Sequence, residues 1–365
     1  MKSKLRYNNY DMLRVIATIA VIVLHTSAYF ISAITDASVF GEIYTENMLF
    51  TCIVRAATTF AVPCFMMLSG ALLLEDEKNA DYVFFYKKRF KSIGVPTVIF
   101  SVAYTIFSFG LELLQKIRGR GTEDFFRPIY NLLIGEPYYH MWYLFMLLGV
   151  YVMVPVILHV KTDIGEKKFA KMSVIFFLLA YPSGWTIAGS LFKWNIGYSF
   201  CFLGYLMIGY TIHKWSNRKQ SKGKGVTFLL CGIGVLLIIG FLQYEQGMQG
   251  IANSELKYSL LGPFNPLVVL ASVLIFAGVS MIEVKKDFSK LSNVSFYIYL
   301  FHAGILVIVR KIVEIVLGEP IDSRVFIILS TILTFVLSWI ASELYIRIFR
   351  CVESFIKNQR TKTLC

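Results

Sequence analysis

YDMLRVIATIAVIVLH, residues 10 to 25, opens the first long apolar run of the chain and decides how the remainder is read. Arg14 heads the run and His25 lies inside it. On a helix the eleven steps between them carry His25 about 16 Å beyond Arg14. That is roughly half of a ~30 Å hydrocarbon core. At about 100° per residue the two fall within about 20° of one face, and Asp11 sits one turn earlier near the same face. A helix that only has to sit in lipid has no use for a cation at its start and an imidazole at mid-depth. The pair reads as part of a site.

Working outward, the run at 8–31 is the first of many. Of the 365 residues 56% are apolar, and mean hydropathy is +0.63. Long apolar stretches follow one another with short connections, which excludes a chain of separate soluble domains. The fold class expected is an all-α polytopic integral membrane protein of about ten transmembrane helices. The spans are laid out at 12–32, 48–74, 93–114, 141–160, 171–190, 196–213, 226–243, 263–282, 294–313 and 325–347. The fifth is interrupted by Pro182, Ser183 and Gly184. One domain is expected over residues 1–365, with a core at about 8–350 and a short basic tail at 351–365 lying along anionic lipid. Lys2, Lys4 and Arg6 precede the first run as in a signal peptide, but that run is too long and Ser27 to Ala37 offers no cleavage site, so it reads as an uncleaved span.

The formal charge of +13 raises nucleic acid as a partner. The cations instead alternate with the spans, as orientation signals do, and nucleic-acid binding is set aside. With the N-terminus inside, 25 Lys and Arg fall on cytoplasmic segments and nine outside, Arg310 and Lys311 being counted among the nine. This predicts both termini in the cytoplasm. Six scattered cysteines, with no C-x-x-C pair and no His cluster, support neither a disulfide framework nor a metal site.

His25 is the leading chemical candidate, as a general base or nucleophile held away from bulk water. The plain alternative is a buried histidine bonded to a neighbouring helix. Arg14 alone would be an ordinary snorkelling residue. Its face, shared with His25 and Asp11, points to function.

At this point a resemblance becomes specific. Arg, ten residues, then His in the first span resembles the signature of the membrane-bound acyltransferase 3 family. RAATTFAVPCFMMLSGALLL resembles the family's second-span segment through Pro63, Phe65, Ser69 and Gly70. YKKRFKSIGVPTVIF is similar to its cytoplasmic Arg-x-x-Arg element, and HMWYLFMLLGVYVMVP to its fourth span, with Trp142 and Pro155. SFYIYLFH, ending at His302, resembles its late Tyr-Leu-x-His segment. One departure stands out: with Arg89 as the first Arg, the second falls on Ser92. Shifting to Lys88 and Lys91 keeps charge but loses the guanidinium fork.

The resemblance implies an O-acyltransferase of the cell membrane, in a bacterial cell, using acetyl-CoA or another acyl-CoA as donor. The acceptor it implies is a hydroxyl of a cell-envelope glycan or lipid-linked sugar, with envelope-assembly proteins and membrane lipid as further partners. Three phosphates on coenzyme A require cations at the inner surface, and Lys87, Lys88, Arg89 and Lys91 supply them, with Arg14 at the mouth. Simple positive-inside charge explains the same cluster. From there the pantetheine arm reaches His25, as base or as acyl carrier. Arg55, Ser69, His140, Trp142 and His302 are assigned to the acceptor side or cavity. Glu46 is a candidate partner for Arg55, and Ser69-Gly70 reads equally as a close helix-packing site. A transporter or exporter of an amino acid or polysaccharide on the same scaffold is the competing reading, with Arg14, Arg55 and the two histidines lining a solute path.

Overall fold

The computed structural model describes residues 7–32, 45–119, 126–183, 198–218, 221–252, 259–318 and 321–362. Among them the regular structure is helical throughout. In chain order the helices are α1 Asn8–Ser32, α2 Thr45–Ala56, α3 Ala61–Leu73, α4 Tyr82–Arg89, α5 Val95–Ile117, α6 Arg127–Leu133, α7 Trp142–Ser183, α8 Tyr198–Arg218, α9 Lys222–Ala252, α10 Pro266–Ser280, α11 Ser289–Leu317 and α12 Ser323–Lys362. Six stretches among the described residues are long and apolar enough to cross a membrane: Asn8–Ala28, Asn47–Leu73, Tyr82–Ile117, Trp142–Leu179, Lys222–Met248 and Ser323–Cys351. The protein is a polytopic helical membrane protein.

Several expected boundaries move. The second span is broken at residues 57–60, between α2 and α3. The fourth and fifth form the single stretch α7, interrupted at Gly165, whose φ of 75° only glycine adopts without strain. The third is continuous with the basic segment before it, because a π-type turn at Phe90–Gly94 joins α4 to α5. The basic tail is no separate element, since α12 runs on to Lys362. The first expected outside loop with Asp36 and Glu42, most of the turn after Pro182, and Lys193 lie outside the described residues, as does the side chain of Glu46.

Two compact units form. The first comprises Met1–Ala61, Ile233–Leu261 and Glu283–Cys365, the second Val62–Gly232 and Gly262–Ile282. In the first, α1 packs along α11 and α12. Ile22, Val294 and Ile298 form one apolar cluster there, and Val309, Val313, Phe326 and Ile327 another. Asp322 caps α12: its carboxylate accepts from the Arg324 amide at 2.8 Å and the Arg324 guanidinium at 2.7 Å. The guanidinium hydrogen bond, ahead of the backbone one, holds that carboxyl down at about 2. A folded-state value below the unfolded one means the cap's contribution is present above about pH 4 and is lost as pH falls through 2. Asp322→Asn should therefore speed amide exchange in the first turn of α12 at pH 7, and remove the acid-dependent part of that fraying.

In the second unit, α3 and α8 touch backbone to backbone. A Cβ on Gly70 would stand 1.7 Å from the Leu206 carbonyl oxygen, and one on Gly209 would stand 2.2 Å from that of Met67. The last carbonyls of α3 are met by side chains: Asn79 Nδ2 donates to Leu73 at 2.9 Å and Lys161 Nζ to Leu74 at 2.6 Å. Such partners are what orphaned helix-end carbonyls require.

Candidate active site

The first unit brings Asp11, Arg14, His25, Arg55 and His302 together, and adds residues from α11 that the sequence reading did not single out. At the start of α1, Asp11 is 5% exposed and therefore needs a partner for its charge. Arg14 Nη1 supplies it at 3.1 Å. The same Nη1 donates to Ser292 Oγ at 2.7 Å, and Ser292 Oγ donates to Asp11 Oδ1 at 2.5 Å. The Thr18 hydroxyl satisfies the Arg14 carbonyl at 2.8 Å.

Farther along α1, the half-buried His25 ring stacks on His302, with centroids 5.4 Å apart and planes at 28°. His302 is fully buried, and its Nδ1 bonds the Tyr299 carbonyl. A carbonyl only accepts, so Nδ1 carries the proton and the lone pair lies on Nε2. Arg310 Nη2 donates to the His25 backbone carbonyl. The charges of Arg310 and Arg55 both act on the His25 imidazole. The polar groups thus form a ladder. Asp11, Arg14 and Ser292 make its first rung, and His25 and His302 its second, about 16 Å along α1. Because Ser292 meets the early part of α1 and His302 the later part, α1 and α11 run in the same direction.

Arg310, counted outside from the sequence, lies within α11 with its guanidinium on the backbone of α1. The signal was present, since a cation inside LFHAGILVIVRKIVEIV has the same cost that drew attention to Arg55. Ser292 carried no such signal. A serine costs little anywhere in a helix, and only the fold places it against Arg14.

The other candidates fall in the second unit. Lys87, Lys88 and Lys91 are exposed, while Arg89 turns inward over the rings of Phe85 and Tyr151, at 5.4 and 5.6 Å. The Ser92 hydroxyl points back to the Arg89 carbonyl at 3.5 Å, so the residue in the second Arg position adds no cation. Ser69 Oγ lies 3.5 Å from the Tyr151 hydroxyl, and its neighbour Gly70 is the close packing point with α8. His140 is an interior group. It is 1% exposed, edge-on to Tyr104 at 4.9 Å and within 6 Å of the Tyr138 and Tyr139 rings. Four rings gathered by the apolar effect bury the imidazole as one of their own. Trp142 is half-exposed and packs its ring near Tyr143 and Phe202.

No curated protein and no solved structure matches the chain significantly. A family model does: the one described as an acyltransferase domain, named for acyltransferase 3, matches residues 7–343. The match takes in every residue of the ladder, from Asp11 to Arg310, and all but the last part of α12. With multi-pass helices, a matched span of this extent and Arg14 and His25 spaced on α1 as described, the chain belongs to the acyltransferase 3 family of membrane acyltransferases.

Proposed function

We propose that this protein is an integral-membrane O-acyltransferase that moves an acyl group, acetyl in the simplest case, from acyl-CoA to a hydroxyl of a cell-envelope glycan or lipid-linked sugar. The observation that carries the reading is the polar ladder on α1. A fixed guanidinium stands at one end, and an imidazole stacked on a second imidazole stands about 16 Å farther on. The guanidinium suits a donor phosphate, and the separation suits an extended pantetheine arm that delivers a thioester to His25.

In this reading both termini are cytoplasmic and the donor arrives from that side, in the plasma membrane of a bacterial cell. Lys87, Lys88, Arg89 and Lys91 are the further cations offered to its phosphates. His25 removes the acceptor hydroxyl proton as the oxygen attacks the thioester carbon. A C–O bond forms, the C–S bond breaks, and the departing thiolate takes the proton from the imidazole. His302, fixed by the Tyr299 carbonyl, buttresses the His25 ring, and Arg55 offers its charge on the acceptor side. The whole chain acts as one transmembrane domain.

The test is mass spectrometry of envelope glycans from cells with and without the chain, together with binding of acetyl-CoA by the purified protein. Loss of an ester-linked acyl group from a defined sugar, and measurable acetyl-CoA binding, are expected. Unchanged glycans and solute flux without acyl transfer would instead establish a transporter.

A further inference from the structure

In the second unit α4 docks on α7 through its aromatic side chains. The Tyr86 phenol donates to the Val152 carbonyl at 2.8 Å, and the Tyr82 ring stacks on His159 with centroids 5.5 Å apart. Between them the fully buried Phe85 meets Tyr151 of α7 edge to face, at 6.1 Å and 69°. The two rings make a corner, and the Arg89 guanidinium lies in it, 5.4 Å from the Phe85 centroid and 5.6 Å from that of Tyr151. Both distances fall within the ~6 Å over which a ring face attracts a cation. At 3.5 Å the contact of Ser69 with the Tyr151 hydroxyl is long, so the ring is what holds the guanidinium.

A guanidinium has five N–H donors. Among the described residues no hydrogen bond or ion pair engages those of Arg89, and its Nε is buried without a partner. A native fold keeps a buried, unpaired donor only where something else is gained. Residues 82–94 hold Lys87, Lys88, Arg89 and Lys91 and no acid, so the local field favours an anionic ligand. The three lysines are exposed, whereas Arg89 is half-buried and fixed in orientation by the rings. A planar guanidinium so fixed meets two oxygens of one phosphate, a geometry that an ammonium cannot match.

We propose that Tyr151 is a positioning residue for donor binding: with Phe85, its ring seats the Arg89 guanidinium so that the N–H groups of Arg89 meet a phosphate of the acyl donor. This rests on the acyl-transfer reading above. It separates Arg89, as the oriented phosphate contact, from the lysines beside it, which contribute charge alone.

The experiment uses the full chain in native membranes or detergent, with acetyl-CoA as the probe. Acetyl-pantetheine, which carries the thioester and no phosphate, is the comparison. Tyr151→Leu should raise the KM for acetyl-CoA and weaken its binding about fivefold, the loss expected for one ring–cation contact. The KM for acetyl-pantetheine and turnover at saturating donor should stay within about twofold. Tyr151→Phe, which keeps the ring, should bind acetyl-CoA as the unaltered protein does. Arg89→Gln should weaken acetyl-CoA binding at least about tenfold. Adding Tyr151→Leu to it should cost nothing more, because Tyr151 acts only through the guanidinium. The fold should survive Tyr151→Leu, since Tyr82 and Tyr86 still hold α4 to α7, and Tyr151→Met stands in should Leu fail to accumulate. Unchanged acetyl-CoA affinity in Tyr151→Leu, equal losses for the two probes, a fall in turnover with unchanged KM, or an additive loss over Arg89→Gln would each overturn the proposal. The two readings fail separately. Unaltered protein that binds acetyl-CoA but never acylates an acceptor sinks the acyl-transfer reading, while a selectively weakened acetyl-CoA complex in Tyr151→Leu still upholds Tyr151. Unaltered protein that binds no acetyl-CoA sinks both.

Discussion

His25→Ala should abolish acyl transfer, by at least about a thousandfold, while leaving the protein in the membrane at its normal level. General acid–base catalysis by a placed imidazole contributes about 10²- to 10⁴-fold, and water cannot substitute at a half-buried position stacked against His302. Folding should tolerate the change. Two contacts that tie this part of α1 to its neighbours do not need the ring: Arg310 holds the backbone carbonyl, and the Thr26 and Thr331 hydroxyls meet at 3.0 Å. The measurement is acylation of the envelope glycan in cells expressing the variant, with the protein quantified in the same membranes. A variant that acylates normally would remove His25 from the chemistry. Intact-protein mass after acetyl-CoA is added without acceptor tests the proposed base role against that of an acyl carrier. A mass gain of one acetyl group that disappears in His25→Ala identifies an acyl-histidine, and no gain identifies the base.

The second large effect concerns stability. Gly70→Ala should prevent α3 and α8 from docking. A new Cβ would lie 1.7 Å from the Leu206 carbonyl oxygen, against the roughly 3 Å that real Cβ atoms respect, so the two backbones must separate by more than 1 Å. No side-chain rotation relieves a clash with backbone. Overpacking of well-fitted positions costs typically about 1–3 kcal/mol, and this case should fall at or beyond the upper end. Gly209→Ala, 2.2 Å from the Met67 oxygen, should behave alike. Gly110→Ala is the control: nothing lies within 4 Å of its Cβ, and alanine's helix preference should leave it neutral or slightly stabilised. Thermal unfolding of the detergent-solubilised proteins decides the matter, and equal melting of all three variants would refute the close packing. The outcome also bears on the motif Ser69-Gly70, which then owes its glycine to packing whatever Ser69 does beside Tyr151.

How legible was this in the chain itself? The apolar runs dictate helices because lipid leaves backbone groups no partner except one another. That constraint reads directly from composition, and the membrane class and helical content follow from it. The pairing of Arg14 with His25 is equally legible, since helix geometry puts residues eleven apart on one face without any help from tertiary contacts. The family resemblance rested on that spacing, and the match over residues 7–343 agrees with it.

The boundaries are less legible, for local reasons. An apolar run does not announce a break such as residues 57–60, and a helix does not end where hydropathy falls, as α12 shows by running through its basic tail. His140 shows another limit: its place ahead of an apolar run assigned it to the acceptor side or cavity, and gave no sign that Tyr104 of α5 closes over it. The sequence by itself determined what each helix carries along its own axis, because that spacing is set by 1.5 Å per residue and nothing else. Only the tertiary structure decided which neighbour each polar group meets. Ser292 on Arg14, His302 on His25 and Arg310 on the His25 carbonyl join positions nearly 300 residues apart in the chain, and no local periodicity encodes that register.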